Sequence, residues 1–118
     1  MTTIAFLRSP IGLIGYEITG HADYADSGSD IVCAAISACA ECILAGLTEV
    51  VKAPVMYDID EENAGLTVCL TPECDKDAFS KAAILFDTFH ITMEQLSKQY
   101  PRNLRIIYKE RRKFTCST

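Results

Sequence analysis

Residues 75–101 read DKDAFSKAAILFDTFHITMEQLSKQYP, and within them Phe79, Ala82, Phe86, Phe89, Met93, Leu96 and Tyr100 recur at alternating intervals of three and four. That interval keeps one face of a 3.6-residue helix apolar, so the stretch predicts a core-facing amphipathic helix. Thr71-Pro72 or Asp75 is available to start it, and Pro101 stops it because proline has no N–H to continue the ladder. Downstream, residues 104–108 form a short apolar strand. Upstream, residues 55–59 and 66–70 read as two strands of a hairpin, joined by a polar connection with Gly65 near its end. Before Pro54 lies a second helical pattern, in which Val32, Ala35, Ile36, Cys39, Ile43 and Leu47 recur up to about Val51, with Ser29 or Asp30 as a natural N-cap. Its alanines and Gly46 are small enough for its axis to lie close to a sheet or another helix, which predicts the central buried helix. The chain opens with two β-type runs, residues 3–8 and 11–19, turned at Ser9-Pro10, with Gly12 and Gly15 marking a bulge or a close approach. The order is ββαββαβ. It predicts one α+β domain over residues 1–118, with a mainly antiparallel or mixed sheet packed with two helices.

A chain of 118 residues with 49% hydrophobic and 23% charged side chains is an average globular domain with enough core to fold without staples. The apolar run at Ile4–Leu7 is cut by Arg8, Ser9 and Pro10, so neither a membrane span nor an export signal is expected there. A cytoplasmic, reducing location follows, and the six cysteines (Cys33, Cys39, Cys42, Cys69, Cys74, Cys116) are expected mostly as buried thiols. Cys39 and Cys42, with Cys69 and Cys74, also offer C-x2-C and C-x4-C spacing, for which a structural zinc is the alternative. Residues 1–97 hold four basic against fifteen acidic groups, whereas residues 98–118 hold seven basic against one acidic. The basic end either contacts nucleic acid or neutralises the acidic body; an acidic body without a phosphate loop or RNA-stacking motif argues against nucleic acid.

The chemistry concentrates before the first helix. If Asp30 caps it, Cys33 is the third helical residue, beside unpaired N–H groups that favour a thiolate nucleophile. His21 lies twelve residues earlier, within reach through the small, acidic segment 20–29, expected to be a mobile loop. Asp30 has two readings, a cap or an orienter of His21, and Ser37, one turn after Cys33, either donates to a substrate oxygen or bonds its own backbone. His90 has no motif partner and is read as a partly exposed helix residue.

The segment Gly20-His21, a variable loop, and then Asp30-Ile31-Val32-Cys33-Ala34-Ala35-Ile36-Ser37-Ala38 resembles the signature of the ribosomal-processing cysteine protease family (Prp, or YsxB-like). The order of elements matches that family over essentially the whole chain. The resemblance implies a cofactor-free protease that removes an N-terminal extension from a large-subunit ribosomal protein precursor, cutting after phenylalanine in an apolar segment. It implies Cys33 as nucleophile and His21 as general base, with Gly20, Asp30 and Ser37 as supporting positions and a homodimer as the assembly. The loop, with Ala22, Asp23, Tyr24, Ser27, Gly28 and Ser29, is expected to close over the peptide, excluding water. The rival is a non-catalytic ribosome- or RNA-associated module using the basic end.

Overall fold

Alternation of apolar side chains from Thr2 onward pairs the first two strands, β1 (Thr2–Ser9) and β2 (Gly12–Thr19), into an antiparallel hairpin, Thr3 opposite Thr19. In this computed structural model, residues 1–20, 27–62 and 65–114 are described, residues 27–30 through their backbone alone. The next elements are α1 (Ser27–Ala45), which passes directly into a π-helical turn (Gly46–Val50), then β3 (Val55–Asp60) and β4 (Gly65–Leu70). The chain continues through α2 (Lys76–Gln99) and β5 (Leu104–Glu110). The sheet order is β3-β4-β2-β1-β5, antiparallel except for the parallel β1–β5 pair. Parallel neighbours cannot be joined by a hairpin. Accordingly α2 carries the chain from β4 past β2 and β1 to β5, and α1 carries it from β2 past β4 to β3. The α+β order and mixed sheet expected from the sequence are both present.

Both helices lie on the sheet face that carries Ile4, Phe6, Tyr16 and Val68, all of them fully buried. Phe6 and Tyr16 meet Phe89 of α2 at ring-centroid distances of 5.8 and 4.6 Å. The Tyr16 hydroxyl donates to the Ala40 carbonyl of α1 at 2.9 Å, which ties the sheet to the middle of that helix. Asp75 is the N-cap of α2, its carboxylate accepting from the Ala78 N–H at 2.8 Å. Gly15 is where β2 and β4 approach closely: a Cβ there would run into the Val68 carbonyl. The hairpin register shifts between Leu7 and Arg8, the bulge anticipated beside the glycines.

Three expectations are corrected. The first helix begins at Ser27, so neither Ser29 nor Asp30 is its cap. Helix extension costs little once a turn is nucleated, and Val32 and Ile36, both buried, fasten the following turns to the sheet. Ser27, Gly28 and Ser29 are therefore helical backbone instead of loop. The helix is also not wrapped on all sides: Val32, Ile36, Ala40, Ile43 and Leu47 are buried, whereas Ile31, Ala34, Ala38 and Ala45 face outward. Small residues are used for close approach on its inner side only, as at Gly46, where a Cβ would come within 3.0 Å of Leu85. Residues Ile31–Val50 are long and apolar enough, at mean hydropathy 2.0, to cross a membrane by length and composition. Glu41 and Glu49 interrupt its apolar character, and its inner face, with Val32, Ile36 and Ala40, packs on the sheet.

Candidate active site

Cys33 is the seventh residue of α1 and is half-buried. Its sulfur lies 3.7 Å from the Thr2 hydroxyl at the start of β1. The N–H groups left without an intrahelical partner belong to the first four helical residues, three to six positions before Cys33, so the thiol is not at the helix mouth as the capped reading placed it. Ser37 follows one turn later on the same flank and is exposed. Beyond it, α1 and the β3–β4 hairpin enclose a cleft of about 230 Å³, walled by Ile18, Ile36, Leu44, Ile59 and Leu66 and rimmed by Glu41, Asp60 and Glu61. The wall suits apolar side chains of an extended peptide, and the acidic rim suits a neighbouring positive charge.

Gly20 closes β2 with φ +79°, and a Cβ there would come within 2.7 Å of the Met1 carbonyl. Only glycine makes that turn without strain or collision. Because Thr3 pairs with Thr19 and the Thr2 hydroxyl meets Cys33, the exit of β2 and the thiol share one corner of the sheet. His21 is the next residue in the chain after Gly20. His21, Ala22, Asp23 and Tyr24 themselves lie outside the described residues, as does Cys116. Asp30 sits in the first turn of α1.

The other histidine is engaged elsewhere. His90 Nε2 lies 2.7 Å from both the Tyr108 hydroxyl and Glu94 Oε1, and its ring packs 4.7 Å from Phe6. Arg8 stacks 4.4 Å above Tyr108 and pairs with Glu110 at 2.9 Å. Burial, helped by Glu94, raises the Tyr108 hydroxyl above its ordinary range. Phe6 is four residues along β1 from Thr2, so this cluster is roughly 13 Å from the Cys33 corner.

The other described cysteines, none of them in a disulfide, are spread over both sides of the sheet: Cys39 half-buried and Cys42 exposed on α1, Cys69 on the opposite face, and Cys74 buried in the connection just before the Asp75 cap of α2. The two pairs do not converge, and among the described residues no cluster of three or more His, Cys, Asp or Glu is placed to hold a metal. Burial pushes the Cys69 thiol up, against the opposing pull of Arg111. In the basic end, Lys109 and Arg111 reach Glu17 at 3.1 and 3.5 Å, so two of its charges are spent on the acidic body. The one contributor to the site that sequence reasoning missed is Thr2. It is distant in sequence from Cys33, and its only signal is the alternation that aligns Thr2 with Ile4 and Phe6 on the core face.

Comparison with known proteins agrees with this geometry. The sequence profile of the family described as cysteine protease Prp matches residues 1–105. The ribosomal processing cysteine protease Prp of Bacillus subtilis (strain 168) is 30% identical over 101 residues, covering 80% of this chain and 85% of that protein. The crystal structure of SMU.848 from Streptococcus mutans superposes with a TM-score of 0.80 at 25% identity, over 94% of this chain and 99% of that one. Prp from S. aureus has been solved with a substrate peptide (TM-score 0.81, 20% identity) and with a covalently linked product peptide (0.79, 21%), each over 92% of this chain and 100% of that one. With the profile spanning nearly the whole domain and the cysteine, glycine and serine of the signature set along one corner and one helix flank, this chain belongs to the Prp family of ribosomal-processing cysteine proteases.

Proposed function

We propose that this protein is the endopeptidase that removes the N-terminal extension of a large-subunit ribosomal protein precursor, cutting after phenylalanine, with a Cys33–His21 dyad. The observation that carries the reading is the position of Cys33, one helical turn before the Ser37 that lines an apolar cleft, at the corner of the sheet where β2 ends at Gly20, the residue before His21 in the chain. The structures of the S. aureus relative with a substrate peptide and with a covalently linked product peptide support a peptide substrate and a covalent step.

In this mechanism the Cys33 thiolate attacks the scissile carbonyl, His21 protonates the departing amine, and water, deprotonated by His21, hydrolyses the thioester and releases the thiol. Ser37, on the cleft wall, donates its hydroxyl to a peptide carbonyl. Displacement of Asp30 from the cap position favours its role as the orienter of His21. Ala22, Asp23 and Tyr24, together with Ser27, Gly28 and Ser29 at the head of α1, cover the bound peptide. A homodimer and a cytoplasmic location belong to the same proposal. Ile31, Ile84 and Ile91, at 60%, 67% and 59% exposure on the helical layer, support the first; the free thiols support the second.

The test uses a fluorogenic peptide spanning an apolar, phenylalanine-containing segment. Cys33→Ala and His21→Gln should each reduce kcat/KM by about a thousandfold or more, with an unchanged folded spectrum. Turnover by either variant within tenfold of the unmutated protein would overturn the dyad.

A further inference from the structure

Thr2 is buried, 3% exposed, and its hydroxyl has the Cys33 sulfur as its partner at 3.7 Å. A buried hydroxyl is retained where it has a partner to satisfy, and sulfur's larger radius places such contacts beyond the usual oxygen distances. The residue is held from both sides. Its N–H donates to the Asn103 carbonyl at 2.9 Å, and β1 registers it against Leu104 of β5 and next to Thr3, the partner of Thr19. As a β-branched residue it has few χ1 choices, so the direction of its hydroxyl is held by the strand.

We propose that Thr2 is a positioning residue for the nucleophile: its hydroxyl donates to the Cys33 thiolate, favouring the ionised form and holding the sulfur at this corner of the sheet. The inference rests on the reading of Cys33 as nucleophile. A thiolate has no proton, so in the charged state the hydroxyl is the donor; in the neutral state the thiol offers only a weak S–H bond. A bond stronger to the charged form than to the neutral one shifts the balance toward charge. The start of α1 at Ser27 makes this assistance necessary, because helix-terminus stabilisation fades within the first turn and Cys33 lies beyond it. During turnover the same hydroxyl stabilises the sulfur again when the thioester is hydrolysed and the thiolate departs.

The experiment is site-resolved alkylation of Cys33 by iodoacetamide in the full chain, followed by mass spectrometry of the Cys33 peptide between pH 5 and 10. The ionisable groups among the described residues at this corner are the Met1 amino group and the Glu94, Lys98, Arg105 and Tyr108 side chains that share a surface pocket with Met1; His21 and Asp30 belong to the proposed machinery. All are retained in Thr2→Val and Thr2→Ser, so a change in the profile reports the hydroxyl. Thr2→Val, nearly isosteric, should slow alkylation at pH 7 roughly fivefold, with rates converging at high pH where the thiol is ionised in either protein. Thr2→Ser should stay within about twofold of the unmutated protein, and peptide cleavage by Thr2→Val should lose kcat with KM unchanged. Superimposable profiles for Thr2→Val and the unmutated protein would overturn the proposal, as would equal slowing in Val and Ser variants that melt at the unmutated temperature. Alkylation reads the Thr2–Cys33 contact whether or not the protein cuts, so persistent cleavage by Cys33→Ala would reject the dyad without touching this result.

Discussion

Gly20 shows how a single residue serves both fold and chemistry. With φ +79° and the Met1 carbonyl against its missing side chain, it sets the direction in which the chain leaves β2 for His21. Gly20→Ala should cost about 1–3 kcal/mol, from left-handed strain and the collision together, and calorimetry should show the lower melting temperature. Activity should fall further than the melting shift explains, because the histidine is displaced. The two histidines should separate cleanly. His90→Gln, with its Tyr108 and Glu94 contacts remote from Cys33, should keep kcat/KM within about threefold, whereas His21→Gln should lose it; the peptide assay at equal folded fraction decides. Tyr16 carries the pH prediction. Burial raises its hydroxyl well above the ordinary value, so the folded state keeps a proton that the unfolded chain releases above about pH 10. Its contribution is complete below that pH and is lost as pH rises through it. Tyr16→Phe should cost about 1 kcal/mol at pH 7 by losing the bond to the Ala40 carbonyl, and should flatten the alkaline decline measured by urea unfolding at pH 7 and 10.5.

At the scale of elements, α2 was almost fully legible. Its apolar interval is long, Asp75 caps it, and Pro101 follows it, so local preference and tertiary packing agree. The head of α1 was not. Ser27, Gly28 and Ser29 have loop composition, and their helical backbone follows from the anchorage of Val32 and Ile36 on the sheet, which no local preference records. That one-turn difference moves Cys33 away from the helix mouth and makes the contact with Thr2 important. The contact was illegible for a simpler reason: it joins the start of β1 to α1 through the sheet, and a strand's first residue declares its partner only after folding. The basic end illustrates the opposite case. Strand β5 incorporates Lys109, Arg111 follows it, and Glu17 engages both, as the reading of the end as a neutralising segment expected. Arg112→Gln with Lys113→Gln should therefore leave peptide cleavage within about twofold, checked in the same assay.

For the whole molecule, the sequence order ββαββαβ defined the class, but strand order came from the two crossovers, which place β5 beside β1 and leave β3 at the far edge. This arrangement puts the apolar cleft between α1 and the β3–β4 hairpin, with Ser37, one turn after Cys33, in its wall. It also leaves isoleucines on the outer side of both helices. If that layer joins two copies, the protein should sediment at twice 13.0 kDa and Ile91→Glu should shift it toward the single-chain mass. Sedimentation equilibrium at micromolar concentration decides.

The most direct measurement is mass spectrometry of a ribosomal protein precursor incubated, under reducing conditions, with the unmutated protein and in parallel with Cys33→Ala. The proposed function predicts one new N-terminus, immediately after a phenylalanine of the extension, formed by the unmutated protein and absent with Cys33→Ala. The same new N-terminus in both reactions, or an intact precursor in both while the B. subtilis relative cuts it, would contradict the assignment.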